Sequence, residues 1–196
     1  MKRTITLRTA ATVAMLAAIS AVLMFLEFPL VFFFPEFLKL DFSDLPALIG
    51  AFAFGPIAGV TVELLKNLIH LTVTSTGGVG ELANFLVGVA LVVPAGLVYT
   101  YRKKRSGALL GIGLGVAAMV VIGALANYFL IIPFYSNLFP LQVIIDMCAA
   151  LVPAVDSLWK VILLTIIPFN LMKGALIGII TFFAYKRLSR LLHGKQ

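Results

Sequence analysis

Eighteen consecutive residues, Thr9–Leu26, carry no charge, and a second uncharged run of 20 residues, Leu82–Tyr101, ends against the cluster Arg102-Lys-Lys-Arg105. An α-helix rises about 1.5 Å per residue, so about 20 such residues cross a hydrocarbon core of ~30 Å. Runs of this length have no polar face to offer water. Composition agrees: 62% of the 196 residues are hydrophobic and 12% are charged, against roughly 25% charged in soluble domains, and the mean hydropathy is +1.12. The solvent of this chain is lipid. The reading is an all-α membrane protein forming a single domain over residues 1–196.

A net charge of +7 would suggest a nucleic-acid partner in a soluble chain. Here eleven of the fifteen Lys/Arg fall in three patches beside apolar runs: Lys2, Arg3 and Arg8; Arg102–Arg105; and Lys186, Arg187, Arg190 and Lys195. None of the eight acidic residues lies in them. Clustered Lys/Arg next to spans mark the cytoplasmic side, so the basicity encodes topology, and no nucleic acid is expected. The N-terminus has the flavour of a signal peptide, but its apolar run is long for one, and it reads as an uncleaved first helix.

The spans follow at about Thr6–Phe28, Leu45–Phe54, Pro56–Val73, Glu81–Tyr101, Ser106–Ile132 and Pro168–Arg190. Residues Pro140–Ile167 are mixed and read as interfacial. The second span is short, at ten residues or about 15 Å. Parity supports it nonetheless. Six crossings put all three basic patches, and both termini, in the cytoplasm, whereas merging segments two and three would leave Arg102–Arg105 outside.

Polar groups inside spans are costly and default to functional-site candidates. Lys173 is the one charge between Val161 and Tyr185, with Asn170 three residues before it on the same face. With a helix beginning at Pro168, both lie near its outer end. Asn127, six residues before Pro133, lies near the outer end of the fifth span. The competing reading is interhelical packing with a snorkelling lysine. Glu63, Lys66, Asn67 and His70 share a face of the third span; they form either a pocket wall or proton path, or an internally neutralised pair, and the second reading is favoured. Seven phenylalanines between Phe25 and Phe42 suit a lid over an aromatic ligand and an interfacial anchor equally well. Ala10, Ala14 and Ala18, with Ala21, form a small-residue stripe, while Gly111/Gly115 and Gly174/Gly178 are taken as packing within the chain.

Enzyme signatures fail. There is no G-x-S-x-G or H-E-x-x-H, and Gly113-Leu-Gly115-Val-Ala-Ala118 lies in mid-span with no preceding strand. No Walker A sequence exists, so ATP-driven transport would need another subunit. Cys148 is a lone cysteine, and no metal site is expected.

The segments Leu40-Asp-Phe-Ser-Asp-Leu-Pro46, Phe54-Gly-Pro56, Lys66-Asn67, Ala83-Asn-Phe85, Asn127-Tyr-Phe129 and Pro168-Phe-Asn-Leu-Met-Lys-Gly174 together resemble the riboflavin-binding S components of energy-coupling-factor vitamin importers. The resemblance implies a six-helix fold that binds riboflavin near the outer face in the bacterial cell membrane, as cargo and not as a cofactor. It also implies a transmembrane coupling subunit and two ATPase subunits as partners. By it, Asn127, Asn170 and Lys173 read the isoalloxazine ring, and the first loop closes over the ligand with backbone near Lys39, Leu40 and Asp41. Ala10, Ala14 and Ala18 would meet the coupling subunit. The alternative is a stand-alone secondary transporter driven by protons through Glu63 and His70; a membrane-embedded enzyme is disfavoured.

Overall fold

The computed structural model describes residues 6–136 and 140–193; Lys2, Arg3 and Lys195 of the basic patches lie outside them. Helix α1 (Leu7–Phe25) starts where the Thr6 hydroxyl accepts from the Thr9 amide at 3.2 Å, the capping geometry that satisfies an orphan donor. A two-residue antiparallel ribbon follows, with β1 (Phe28–Pro29) paired to β2 (Lys39–Leu40) and the intervening residues closing a loop. Next come α2 (Asp44–Phe54), α3 (Pro56–His70), a 3-10 turn (Leu71–Val73), α4 (Val79–Tyr101) and α5 (Arg105–Ala126).

Helix α2 sits at the centre, against α1, α3, α4 and α9 (Ile167–His193). Nine of its eleven residues are buried, as expected of a helix apolar on every side. Glycines let its neighbours close in: a Cβ at Gly59 would lie 2.8 Å from that of Ala51. The Gly111/Gly115 and Gly174/Gly178 pairs act in the same way within the chain, against Ala95 and Leu91 of α4 and against Met119, Val116 and Ile112 of α5.

Helix α3 is inverted relative to a soluble helix. Its Glu63, Lys66, Asn67 and His70 are buried, while Ile57, Leu64, Leu68 and Ile69 are exposed. Water would not support that arrangement; hydrocarbon does. Among the described residues, four helices are long and apolar enough to cross a membrane: Leu7–Phe25, Val79–Tyr101, Arg105–Tyr135 and Leu158–Tyr185. Helices α2, with 11 residues, and α3, with 15, are shorter.

Two span boundaries differ from expectation. Helix α5 does not stop before Pro133. It passes through a π-helical turn, Asn127–Ile131, into α6 (Ile132–Tyr135). Nor does the last span begin at Pro168: α8 (Leu158–Val161) leads through a second π turn, Ile162–Ile166, into α9. The stretch read as interfacial therefore divides into α7 (Leu141–Ala149) and the opening turns of the last span. In each case the proline is the second residue after the π turn. Proline lacks an N–H and its ring clashes with the carbonyl four residues back; the wider turn moves that carbonyl out of the way.

Two apolar clusters result among the described residues. One joins Leu16, Leu48, Val62, Leu91 and Met119; the other joins Ile132, Ile145, Cys148, Val161 and Ile166. Val87 of the first, and Phe37, Leu38 and Tyr135 packed on the second, border a common pocket.

Candidate functional site

The pocket lies at the end of the bundle opposite the Arg102–Arg105 turn, where α4 and the ribbon begin and α5 runs out. It opens to the outside, and its enclosed part is about 130 Å³, smaller than the roughly 300–1,000 Å³ of a typical small-molecule site. Asn127, Asn170, Lys173, Lys39 and Asp41 all line it. Leu40 does not: its side chain is 4% exposed and packs into the bundle, while its backbone pairs with Phe28 in the ribbon. Because the last span begins at Leu158 and not at Pro168, Asn170 and Lys173 sit well inside it and not in its first turns.

The helices dictate which polar atoms remain available. Asn127 sits at the π turn and donates its Nδ2 to the Gly123 carbonyl at 2.8 Å. Asn170 donates to the Ile166 carbonyl at 3.0 Å. Each side-chain amide keeps its oxygen and one N–H for a ligand. Gly123 makes the room: a Cβ there would lie 2.9 Å from Asn170 Nδ2. Beside them the buried Lys173 ammonium donates to Asp41 Oδ2 at 2.8 Å and lies 3.2 Å from Asp44 Oδ2. Asp41 also accepts from Asn84 Nδ2 at 3.4 Å and, on Oδ1, from the Ser43 amide at 2.8 Å. One wall of the pocket thus carries adjoining donors and acceptors.

The mouth is built from a second polar group. His70 Nδ1 meets Glu81 Oε1 at 2.8 Å, and Thr74 donates to Glu81 Oε2 at 2.9 Å. The Thr74–Gly80 loop is held by two glycines at φ +62° and +91°, Gly77 and Gly78, a conformation that other residues rarely adopt. Lys39 pairs with Glu27 at 2.5 Å, fastening β2 to the end of α1. The two readings of the Phe-rich loop divide its residues. Phe37 lines the pocket and Phe34 is buried edge-on to Phe169 at 5.2 Å, while Phe32 and Phe33 are exposed.

The polar face of α3 carries both readings at once. Glu63 and Lys66 do pair, at 2.8 Å, but Lys66 also holds Asp44, and His70 lines the pocket. Asn84, Glu27 and Glu81 also line the pocket, and Asp44 stands behind it, 3.2 Å from Lys173; the sequence singles out none of the four as a site residue. The Ala83-Asn-Phe85 segment carried Asn84, and Asp44 opens the second apolar helix as its one acid; neither position declares its partner. The stripe on α1 splits: Ala10, Ala14 and Ala18 are exposed, and Ala21 packs inside. Among the described residues no group of His, Cys, Asp and Glu could hold a metal.

A helical bundle with polar groups turned inward on α3 and a part-polar pocket at one end is the architecture of a membrane protein that can hold a small solute. The chain belongs to the substrate-specific components of ECF transporters, whose family model matches residues 8–185. It is 39% identical over 183 residues to the riboflavin transporter RibU of Staphylococcus aureus (strain TCH60), covering 92% of this chain and 90% of that one. Against the riboflavin transporter FmnP of Bacillus subtilis (strain 168) it is 34% identical over 171 residues, with coverage of 86% and 85%. A solved structure described as the S component of a bacterial ECF transporter matches with a TM-score of 0.74 at 33% identity, covering 95% of this chain and 98% of that one.

Proposed function

We propose that this chain captures riboflavin as the substrate-specific subunit of an ATP-driven ECF importer in the bacterial plasma membrane. The observation that carries the reading is the convergence of Asn127, Asn170, Lys173 and Asp41 on one pocket from three separate parts of the chain. The edge of an isoalloxazine ring alternates carbonyl oxygens with an N–H. Side-chain amides can meet both, an ammonium meets a carbonyl, and a carboxylate meets the N–H. The backbone at Leu40, between Lys39 and Asp41, supplies the lid side. Phe37, Phe169 and Val87 give the flat ring apolar walls. The polyol tail suits the hydroxyl- and carboxylate-rich mouth formed by Thr76, Glu81 and His70.

In this reading the chain crosses the membrane six times, counting α2 and α3 as short crossings, with both termini in the cytoplasm and the pocket facing out. Positive residues prefer the cytoplasmic side, and the Arg102–Arg105 turn lies at the end away from the pocket. A transmembrane coupling subunit docks on the exposed Ala10, Ala14 and Ala18 face of α1, and two ATPase subunits supply the energy. Titrating riboflavin into the purified chain tests the reading: saturable one-to-one fluorescence quenching without ATP supports it. Binding of thiamine or biotin in its place would reassign the substrate.

A further inference from the structure

A second layer of charge lies behind the pocket. Lys66 does not line the pocket and its side chain is fully buried, yet its ammonium contacts Asp44 Oδ1, Ser43 Oγ at 2.8 Å and Glu63 Oε2 at 2.8 Å. Asp44 is shared. Its other oxygen, Oδ2, lies 3.2 Å from Lys173 and has no hydrogen bond of its own. Lys173 stands between Asp41 and Asp44, at the inner wall of the pocket. The layer has its own space: a Cβ at Gly88 of α4 would overlap the Glu63 carboxylate. Buried charges hold their positions by pairing. While Lys66 meets Asp44 on one oxygen, Lys173 keeps a donor for the pocket. Without Lys66, the cation nearest to Asp44 is Lys173, and the ammonium is drawn inward, away from any solute.

We propose that Lys66 is a positioning residue for solute capture, fixing the Lys173 ammonium through Asp44. The proposal rests on the riboflavin reading for its ligand, and the two fail separately: the reading fails if the unaltered chain binds no riboflavin, the positioning role if that chain binds and the variants below behave otherwise.

The test is riboflavin affinity of the purified full chain, by fluorescence quenching, in a set of variants. Lys66→Met is expected to weaken binding at least about tenfold. Asp44→Asn/Lys66→Met, which also removes the carboxylate that touches Lys173, is expected to return within about threefold of the unaltered chain. Glu63→Gln/Lys66→Met removes the same charges but leaves Asp44 facing Lys173, and is expected to stay weak. In a Lys173→Ala background, Lys66→Met is expected to add nothing. Unaltered affinity in Lys66→Met overturns the proposal, as does equal recovery in the two double variants or a loss that adds in full to that of Lys173→Ala. Should Lys66→Met not fold, the Asp44→Asn/Lys66→Met variant decides: a folded pair that fails to bind overturns it.

Discussion

Lys173 is a buried cation whose partner, Asp41, is 132 residues away in the chain. A charge in that position is costly unless paired and hydrogen-bonded. The pairing explains how it survives inside the bundle, and it holds the ammonium on the pocket wall. Removing a donor or acceptor that a bound solute uses leaves the solute's own polar atom unsatisfied, at about 1–3 kcal/mol. Asn170→Ala and Lys173→Ala are each expected to weaken riboflavin binding by that amount, measured by titration of the purified variants; unchanged affinity in both would remove the site assignment. Spacing alone singled out these residues, since Asn170 and Lys173 share a helix face and interrupt an apolar run. Asp41 and Lys39 came from the resemblance, not from spacing. The Lys173–Asp41–Asp44–Lys66 connection was not legible, because contacts between sequence-distant residues leave no period to read. Leu40 illustrates the converse: adjacent to two lining residues, it turns its side chain inward with the strand alternation.

At the scale of elements, the departures from expectation lie at the two prolines. A proline in an apolar run reads as a helix start or stop, and by that rule Pro133 ends the fifth span and Pro168 opens the sixth. Each instead follows a π turn that absorbs it, and π turns have no composition signature. Such turns gather at functional sites; here one carries Asn127, and the other ends four residues before Asn170. The α5–α9 crossing then decides where Asn170 stands. Because a Cβ at Gly123 would press on its side-chain amide, Gly123→Val is expected to weaken riboflavin binding at least about tenfold while the chain still elutes as a folded species on size exclusion. Full affinity in that variant would show that Asn170 does not need its place. Helix α1 offers the opposite case. Its exposed Ala14 faces away from the pocket, so Ala14→Trp is expected to preserve riboflavin binding and abolish uptake by the assembled transporter. Loss of binding itself would mean that this face packs within the subunit.

At the scale of the molecule, the inverted polarity of α3 and the placement of the basic turn carry the membrane argument together. The amphipathic period of α3 was legible, but which face turns inward was not: Glu63, Lys66, Asn67 and His70 point to the core because the outside is lipid. The six-crossing arrangement predicts that a probe at the α4–α5 turn reacts from the cytoplasm. Cys148 is buried and alone among the cysteines, so a Cys148→Ala/Lys103→Cys variant gives a single labelling position. A membrane-impermeant maleimide is expected to label it in inside-out vesicles and not in intact cells; the reverse would place the turn, and the topology, the other way up. The pocket and the charge behind it offer a place to bind, and no Walker A sequence accompanies them.

The proposal that this chain captures riboflavin while partner subunits power its transport is the central claim, and one comparison addresses it most directly. Riboflavin binding by the purified chain is measured by fluorescence quenching without nucleotide, alongside riboflavin uptake into cells expressing the chain with or without the coupling and ATPase subunits. The account predicts one-to-one binding by the chain alone and uptake only when the partners are present. Uptake by the chain alone that collapses with an uncoupler, or no riboflavin binding at all, would contradict it.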